Sequence, residues 1–211
     1  MVSRSMDEVR ADYISAMGPE LGANFYELHR ELVELHVLWQ QYRELFGDTT
    51  DTVQMLNRTA GLFFKIVQDE LWDSVLLGVS RMTDPPGTGK HKNLTVQSLS
   101  PLITDSALRV ETQDFCTKAV AAAEFAREHR NKRIAHQDHN YLSNRNSNPL
   151  SGISRAAVES MLAALRDVLN HLDNRLRDNT VLYERFIDDS GARLLIQKLS
   201  KLERLQGKVN G

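Results

Sequence analysis

Cysteine is almost missing from this sequence: Cys116 is the sole one among 211 residues. A lone thiol excludes an intramolecular disulfide framework and any cysteine-built zinc cluster. With Phe115, Ala119 and Val120 around it, Cys116 reads as a buried structural thiol rather than a reactive one. Long apolar runs are also lacking. Nothing approaches the length of a membrane span, and Met1-Val-Ser-Arg-Ser-Met-Asp-Glu has no apolar stretch of the secretory kind. The expectation is a soluble protein in the cytoplasm with no membrane partner. An excess of one charge is absent as well, with 26 basic residues against 28 acidic and a net charge of −2. That balance argues against a dedicated nucleic-acid coat, yet it leaves room for a local basic site. Alternating strand-type patterns and internal repeats are not visible.

What remains is helical spacing almost everywhere. A first long helix carries Phe25, Leu28, Leu32, Leu35, Leu38, Tyr42 and Leu45 and stops at Gly47. A second is predicted from Asp51, with Gln54 completing a capping box. It repeats through Leu56, Ala60, Phe63, Val67, Leu71, Val75, Val79 and Met82, and Asp84-Pro85-Pro86-Gly87 ends it. A polar loop over 87–93 leads to a short helix from Asn93 to Leu102. A third long helix runs from Asp105 or Thr112 to the region of His136, followed by an Asn/Ser-rich loop from Gln137 to Ser151. A fourth helix from Ser154 turns Val158, Leu162, Leu165, Leu169, Leu172 and Leu176 inward. A C-terminal amphipathic helix bears Leu194, Leu195, Leu199, Leu202 and Leu205. The expected architecture is all-α, a bundle of four to five long helices plus that C-terminal helix. It divides into an N-terminal extension (1–18), the bundle (19–178) and a C-terminal link and helix (179–211).

The third helix holds the main chemical signal. At about 100° per residue, Phe115, Ala119, Ala122 and Ala126 share a wedge of roughly 60°, and small alanines there permit close helix approach. Continued toward the C-terminus, the wedge meets Arg130, Arg133 and His136 over about 120°. Guanidinium groups aimed into a packed groove need partners. One kind is a carboxylate, for which the second helix offers Asp69, Glu70 and Asp73. The other is a phosphate, which arginine grips with two parallel hydrogen bonds and beside which a histidine can move a proton. Geometry alone leaves both open.

Arg130-Asn131, four residues and His136 resemble the signature of the HEPN superfamily. The longer Arg130-Asn-Lys-Arg-Ile-Ala-His136-Gln-Asp138 is similar to its AbiU branch, linked to abortive infection in bacteria. So is Leu77-Gly-Val-Ser-Arg81-Met-Thr-Asp84-Pro-Pro with Asn93-Leu-Thr-Val, which matches that branch's second helix and following loop. The resemblance implies a HEPN-like helical bundle that forms a homodimer, with two motif copies in one cleft. It implies metal-independent endoribonuclease chemistry without a cofactor. His136 would move the proton, Arg130 would hold the scissile phosphate, and Asn131 would orient phosphate or histidine. Lys132, Arg133, Asp138 and Arg81 would contact the substrate RNA. A cognate antitoxin or defence partner is a further implication. Many ribonuclease members carry a tyrosine two residues after the histidine; here Asp138 stands there, and Tyr141 is the nearest tyrosine. The competing reading is a non-catalytic helical dimerisation module that binds a protein or nucleotide.

Other constellations carry less. His129, His136, His139 and Asp138 lack a zinc signature, so no metal site is expected. Gly87-Thr-Gly89-Lys90 lacks the glycine, hydroxyl residue and strand of a phosphate loop. Arg81 and Asp84 read as ties between the second helix and its loop. Arg193, Lys198, Lys201 and Arg204 read as a solvated face or a contact for RNA or a partner. Trp39 and Trp72 read as core or interface anchors.

Overall fold

A computed structural model of the protein describes residues 4–47, 49–87, 92–131, 154–185 and 190–209, and among them no strand occurs. In order come α1 (Met6–Met17), α2 (Pro19–Phe46), α3 (Thr50–Thr83), two short 3-10 turns (Val96–Ser98 and Ser100–Leu102), α4 (Ser106–Ala122), α5 (Glu124–His129), α6 (Arg155–Arg177) and α7 (Ala192–Val209). The all-α expectation is met.

Helix α1 lies where only an extension was foreseen. Its start is a capping box: the Glu8 amide donates to the Ser5 hydroxyl at 3.2 Å, and the Ser5 amide donates to the Glu8 carboxylate at 2.7 Å. It stops at Gly18, whose φ of 87° suits a residue without a Cβ. Pro19 then opens α2. The two helices cross closely at Gly22, where a Cβ would strike the Tyr13 carbonyl and the Ile14 backbone.

The chain forms two compact units, Met1–Leu35 with Leu76–Tyr183, and His36–Val75 with Glu184–Gly211. The first unit is built on Phe25, Leu28, Leu32 and Leu35 of α2, Leu76, Val79 and Met82 of α3, and the α4–α6 pair. As expected, α6 buries Val158, Leu162, Leu165, Leu169 and Leu172. After α6 the chain folds back. Asp178 takes the left-handed conformation, the Asn179 side-chain amide donates to the buried Asp173 carboxylate at 2.6 Å, and Asn170 holds Val181 by both backbone groups. This return seats Tyr183 against His29, 2.7 Å from its Nδ1.

In the second unit Trp39 stacks on Tyr42 at 5.1 Å, and Trp72 leans on both rings, so both tryptophans are anchors within this unit. Leu45, Met55, Leu56, Phe64 and Ala192 form its small core, with Ile196 and Leu199 of α7 against it. The first amides of α7, those of Ala192 and Arg193, donate to the side chains of Gln41 and Glu44 at 2.7 and 3.0 Å.

Several local expectations are corrected. Helix α3 is capped by Thr49, whose hydroxyl accepts from the Thr52 amide, not by an Asp51–Gln54 box. It breaks at Ala60 (φ −160°, ψ 65°), which shifts the inward phase: Phe64 is buried and Phe63 is exposed, the reverse of the uninterrupted periodicity. The segment 93–102 makes two 3-10 turns instead of one helix, and the third long helix is interrupted at Ala123.

Candidate functional site

The first wall of the site is the end of α3. Pro85 and Pro86 prevent the helix from continuing, which leaves its last carbonyls to find other donors. Gln97 supplies them: its side-chain amide donates to the carbonyls of Thr83 and Asp84 at 3.0 and 3.1 Å. Asn93 fixes the prolines, donating from its side chain to the Pro85 carbonyl and from its backbone to that of Pro86. The buried Thr83 hydroxyl donates back to the Val79 carbonyl at 2.9 Å. The loop is in turn tied to α4, because the Cys116 thiol donates to the Val96 carbonyl and Ser100 donates to Gln113. Burial pushes the Cys116 thiol up to about 12, so it stays protonated and structural.

The second wall is α4 and α5. Their buried face runs through Leu108, Thr112, Cys116, Ala119, Ala123, Ala126 and His129, with Phe115 and Ala122 only half-buried beside it. The alanine wedge is therefore used inside the chain, and His129 is buried at its end. The break at Ala123 frees carbonyls of α4. Arg127 caps one of them, donating to the Val120 carbonyl at 2.8 Å and to the Thr83 hydroxyl at 3.3 Å. One guanidinium thus clamps the ends of α3 and α4 together.

Arg130 and Asn131 follow in a wider, π-type conformation, a geometry frequent at functional sites. The two walls meet here. Nη1 of Arg130 forms an ion pair with the Asp84 carboxylate, and its Nε donates to the Asn131 side-chain oxygen at 3.2 Å. Both ionic side chains are mostly covered, at 23% and 20% exposure. The carboxylate offered to the arginine is Asp84, not Asp69, Glu70 or Asp73. The location favours cations twice over, since Asp84 adds its charge to the negative end of the α3 dipole.

Arg81, one turn before Asp84, reaches instead to Glu31 of α2 at 2.7 Å and is largely exposed. Lys132, Arg133, His136 and Asp138 lie outside the described residues. Among the described residues no group of three or more metal-binding side chains assembles. Sequence reasoning missed Arg127. Its signal was spacing, because Arg127 precedes Arg130 by three residues and so occupies the same helix face.

A helical bundle whose α3 end binds the arginine of an Arg-Asn-(four residues)-His string is a HEPN-type protein in architecture. The comparison with protein families specifies the branch: the HEPN AbiU2 family matches residues 18–193, and the chain belongs to it. No curated protein and no solved structure matches the chain. No helix among the described residues is long and apolar enough to cross a membrane.

Proposed function

We propose that this chain is a metal-independent endoribonuclease of the HEPN type, acting in phage defence or as a toxin-like effector. The observation that carries the reading is the Arg130–Asp84 pair. It brings the two strings that resemble the AbiU branch, distant in sequence, to one point. In the proposed reaction the ribose 2′-oxygen attacks the adjacent phosphorus and the bond to the 5′-oxygen breaks. His136 takes the 2′-hydroxyl proton or delivers a proton to the leaving oxygen. Arg130 stabilises the charge gathering on the phosphoryl oxygens, and Asn131, bound to the Arg130 Nε, holds the guanidinium in orientation. Lys132, Arg133, Asp138 and Arg81 contact the RNA around the cleaved bond. A second copy of the chain and an antitoxin or other defence protein are the proposed partners.

The test is incubation with mixed RNAs in EDTA, followed by mapping of the ends. The expected products carry 2′,3′-cyclic phosphate and 5′-hydroxyl ends, and His136→Ala abolishes them with the fold intact. Cleavage that disappears in EDTA and returns with magnesium contradicts the reading.

A second reading has its own observation. Arg130 already holds a carboxylate, as an arginine with a structural job would, and Asp138 replaces the tyrosine of many ribonuclease members. Under that reading the chain is a helical module that binds a protein or nucleotide, and no RNA is cleaved by any preparation.

A further inference from the structure

Arg130 stands just beyond an irregular joint in its own helix. Ala123 leaves helical geometry between α4 and α5 (φ −87°, ψ 3°). The 6 residues of α5 are too few to hold a direction by themselves, so the aim of Arg130 depends on what fixes α5 from outside.

Arg127 does this from one side chain. Its Nη2 donates back across the joint to the Val120 carbonyl of α4 at 2.8 Å, and its Nη1 donates to the Thr83 hydroxyl of α3 at 3.3 Å. Both oxygens lie at the carbonyl ends of helices, where a cation is favoured. These contacts close a ring. Thr83 precedes Asp84 on α3, and Arg127 lies one turn before Arg130, its carbonyl accepting from the Arg130 amide. Two neighbouring rungs therefore join α3 to α5, Arg127 to Thr83 and Arg130 to Asp84. The inner rung rests on a fully buried threonine whose hydroxyl donates in turn to the Val79 carbonyl at 2.9 Å. Where that rung sits decides where the outer ion pair forms.

We propose that Arg127 is a positioning residue for Arg130: it locks the joint at Ala123 and so sets the guanidinium against Asp84. Arg127 acts through Arg130 and not on the RNA, because both of its Nη groups are committed to Thr83 and Val120. The kinetic consequence rests on the ribonuclease reading, whereas the effect on the ion pair does not.

Two measurements test it. The first needs no RNA. The coupling between Asp84→Asn and Arg130→Gln, read from urea denaturation, should lose about half or more of its size in an Arg127→Gln background. The second is steady-state cleavage. Arg127→Gln should lower kcat about tenfold or more with KM held within about twofold, since RNA still binds and the arginine is misaimed in the transition state. Arg127→Lys should recover little, because one ammonium does not reproduce a guanidinium that spans two oxygens. Thr83→Val separates positioning from RNA contact. Thr83 is fully buried and touches no RNA, so a fall in kcat there acts through its neighbours. If that fall does not add to the loss in Arg127→Gln, the effect belongs to Arg127. Thr83→Val also carries both measurements should Arg127→Gln fail to fold. An ion-pair coupling unchanged in both backgrounds overturns the proposal. So does a raised KM at constant kcat in Arg127→Gln, which would make Arg127 an RNA contact. A wild-type chain that cleaves no RNA sinks the ribonuclease reading, and the coupling then decides the role of Arg127 alone.

Discussion

Two residue pairs, Arg130–Asp84 and His29–Tyr183, set what single substitutions should do. Asp84→Ala leaves a mostly covered guanidinium without its carboxylate, beside backbone already committed to Gln97. A pair of this burial falls between surface bridges and fully buried ones, so a double-mutant cycle of Asp84→Asn with Arg130→Gln should give a coupling of about 1–2 kcal/mol. Urea denaturation measures it, and a coupling indistinguishable from zero would leave the ion pair without energetic meaning. His29 makes a pH-dependent case. Burial pushes its imidazole below the ordinary value, against the opposing pull of Asp173. Its unfolded form therefore holds a proton that the folded form refuses. Stability should be full above about pH 6.5 and fall as pH drops below it. His171, also lowered by burial and also opposed by a carboxylate, Glu111, adds to the same slope. His29→Gln should flatten the acid limb in part, and adding His171→Gln should flatten it further. An unchanged slope in the double variant would remove both histidines from the account. Some of this was legible: the string from Arg130 announced a cation at a packed helix end, and Cys116 announced a buried thiol. Asp84 was read as a loop tie and not as the arginine's partner, because no periodicity links residues 46 positions apart.

At the level of helices, spacing was informative wherever one rotation held along the whole element. Helices α2 and α6 bury nearly every residue their pattern selected, and Gly47 and Asp84-Pro85-Pro86 ended their helices where expected. Breaks were not legible. At Ala60 one non-helical residue shifts the phase of the turn that follows it, and Phe63 and Phe64 exchange roles. At Ala123 the break is repaired by Arg127, a tertiary hydrogen bond that no local pattern encodes. Helix α1 was legible in principle, since Ser5-Met-Asp-Glu8 is a capping-box string, but its weak apolar pattern hid it. Close approach gives the prediction at this scale. An added Cβ at Gly22 meets backbone of α1, whereas one at Gly78 meets the movable end of the Leu35 side chain. Both Gly→Ala changes overpack a helix crossing, at about 1–3 kcal/mol, and Gly22→Ala should cost the more. Chemical denaturation ranks them, and the reverse order would mean that α1 yields more easily than Leu35. Gly78→Ala also displaces the helix that presents Asp84, so a perturbed Arg130–Asp84 coupling should accompany it.

For the whole molecule, the question is whether two chains complete what one begins. Arg130 and Asn131 take a π-type conformation within the first unit, and the resemblance puts His136 of a second chain near the same phosphate. On a straight helix Arg130 and His136 of one chain would sit about 120° apart and about 9 Å along the axis, too divergent to share a phosphate by themselves. Arg130→Ala and His136→Ala homodimers should therefore each be nearly inactive. Mixed in equal amounts and allowed to exchange, half of the dimers become heterodimers, and each of these keeps one intact Arg130–His136 pairing across the interface. Total cleavage should recover to about a quarter of the wild-type level if the two pairings act independently. Absence of recovery, with heterodimers confirmed by mass, would mean that each chain carries its own site or that one cleft needs both arginines and both histidines.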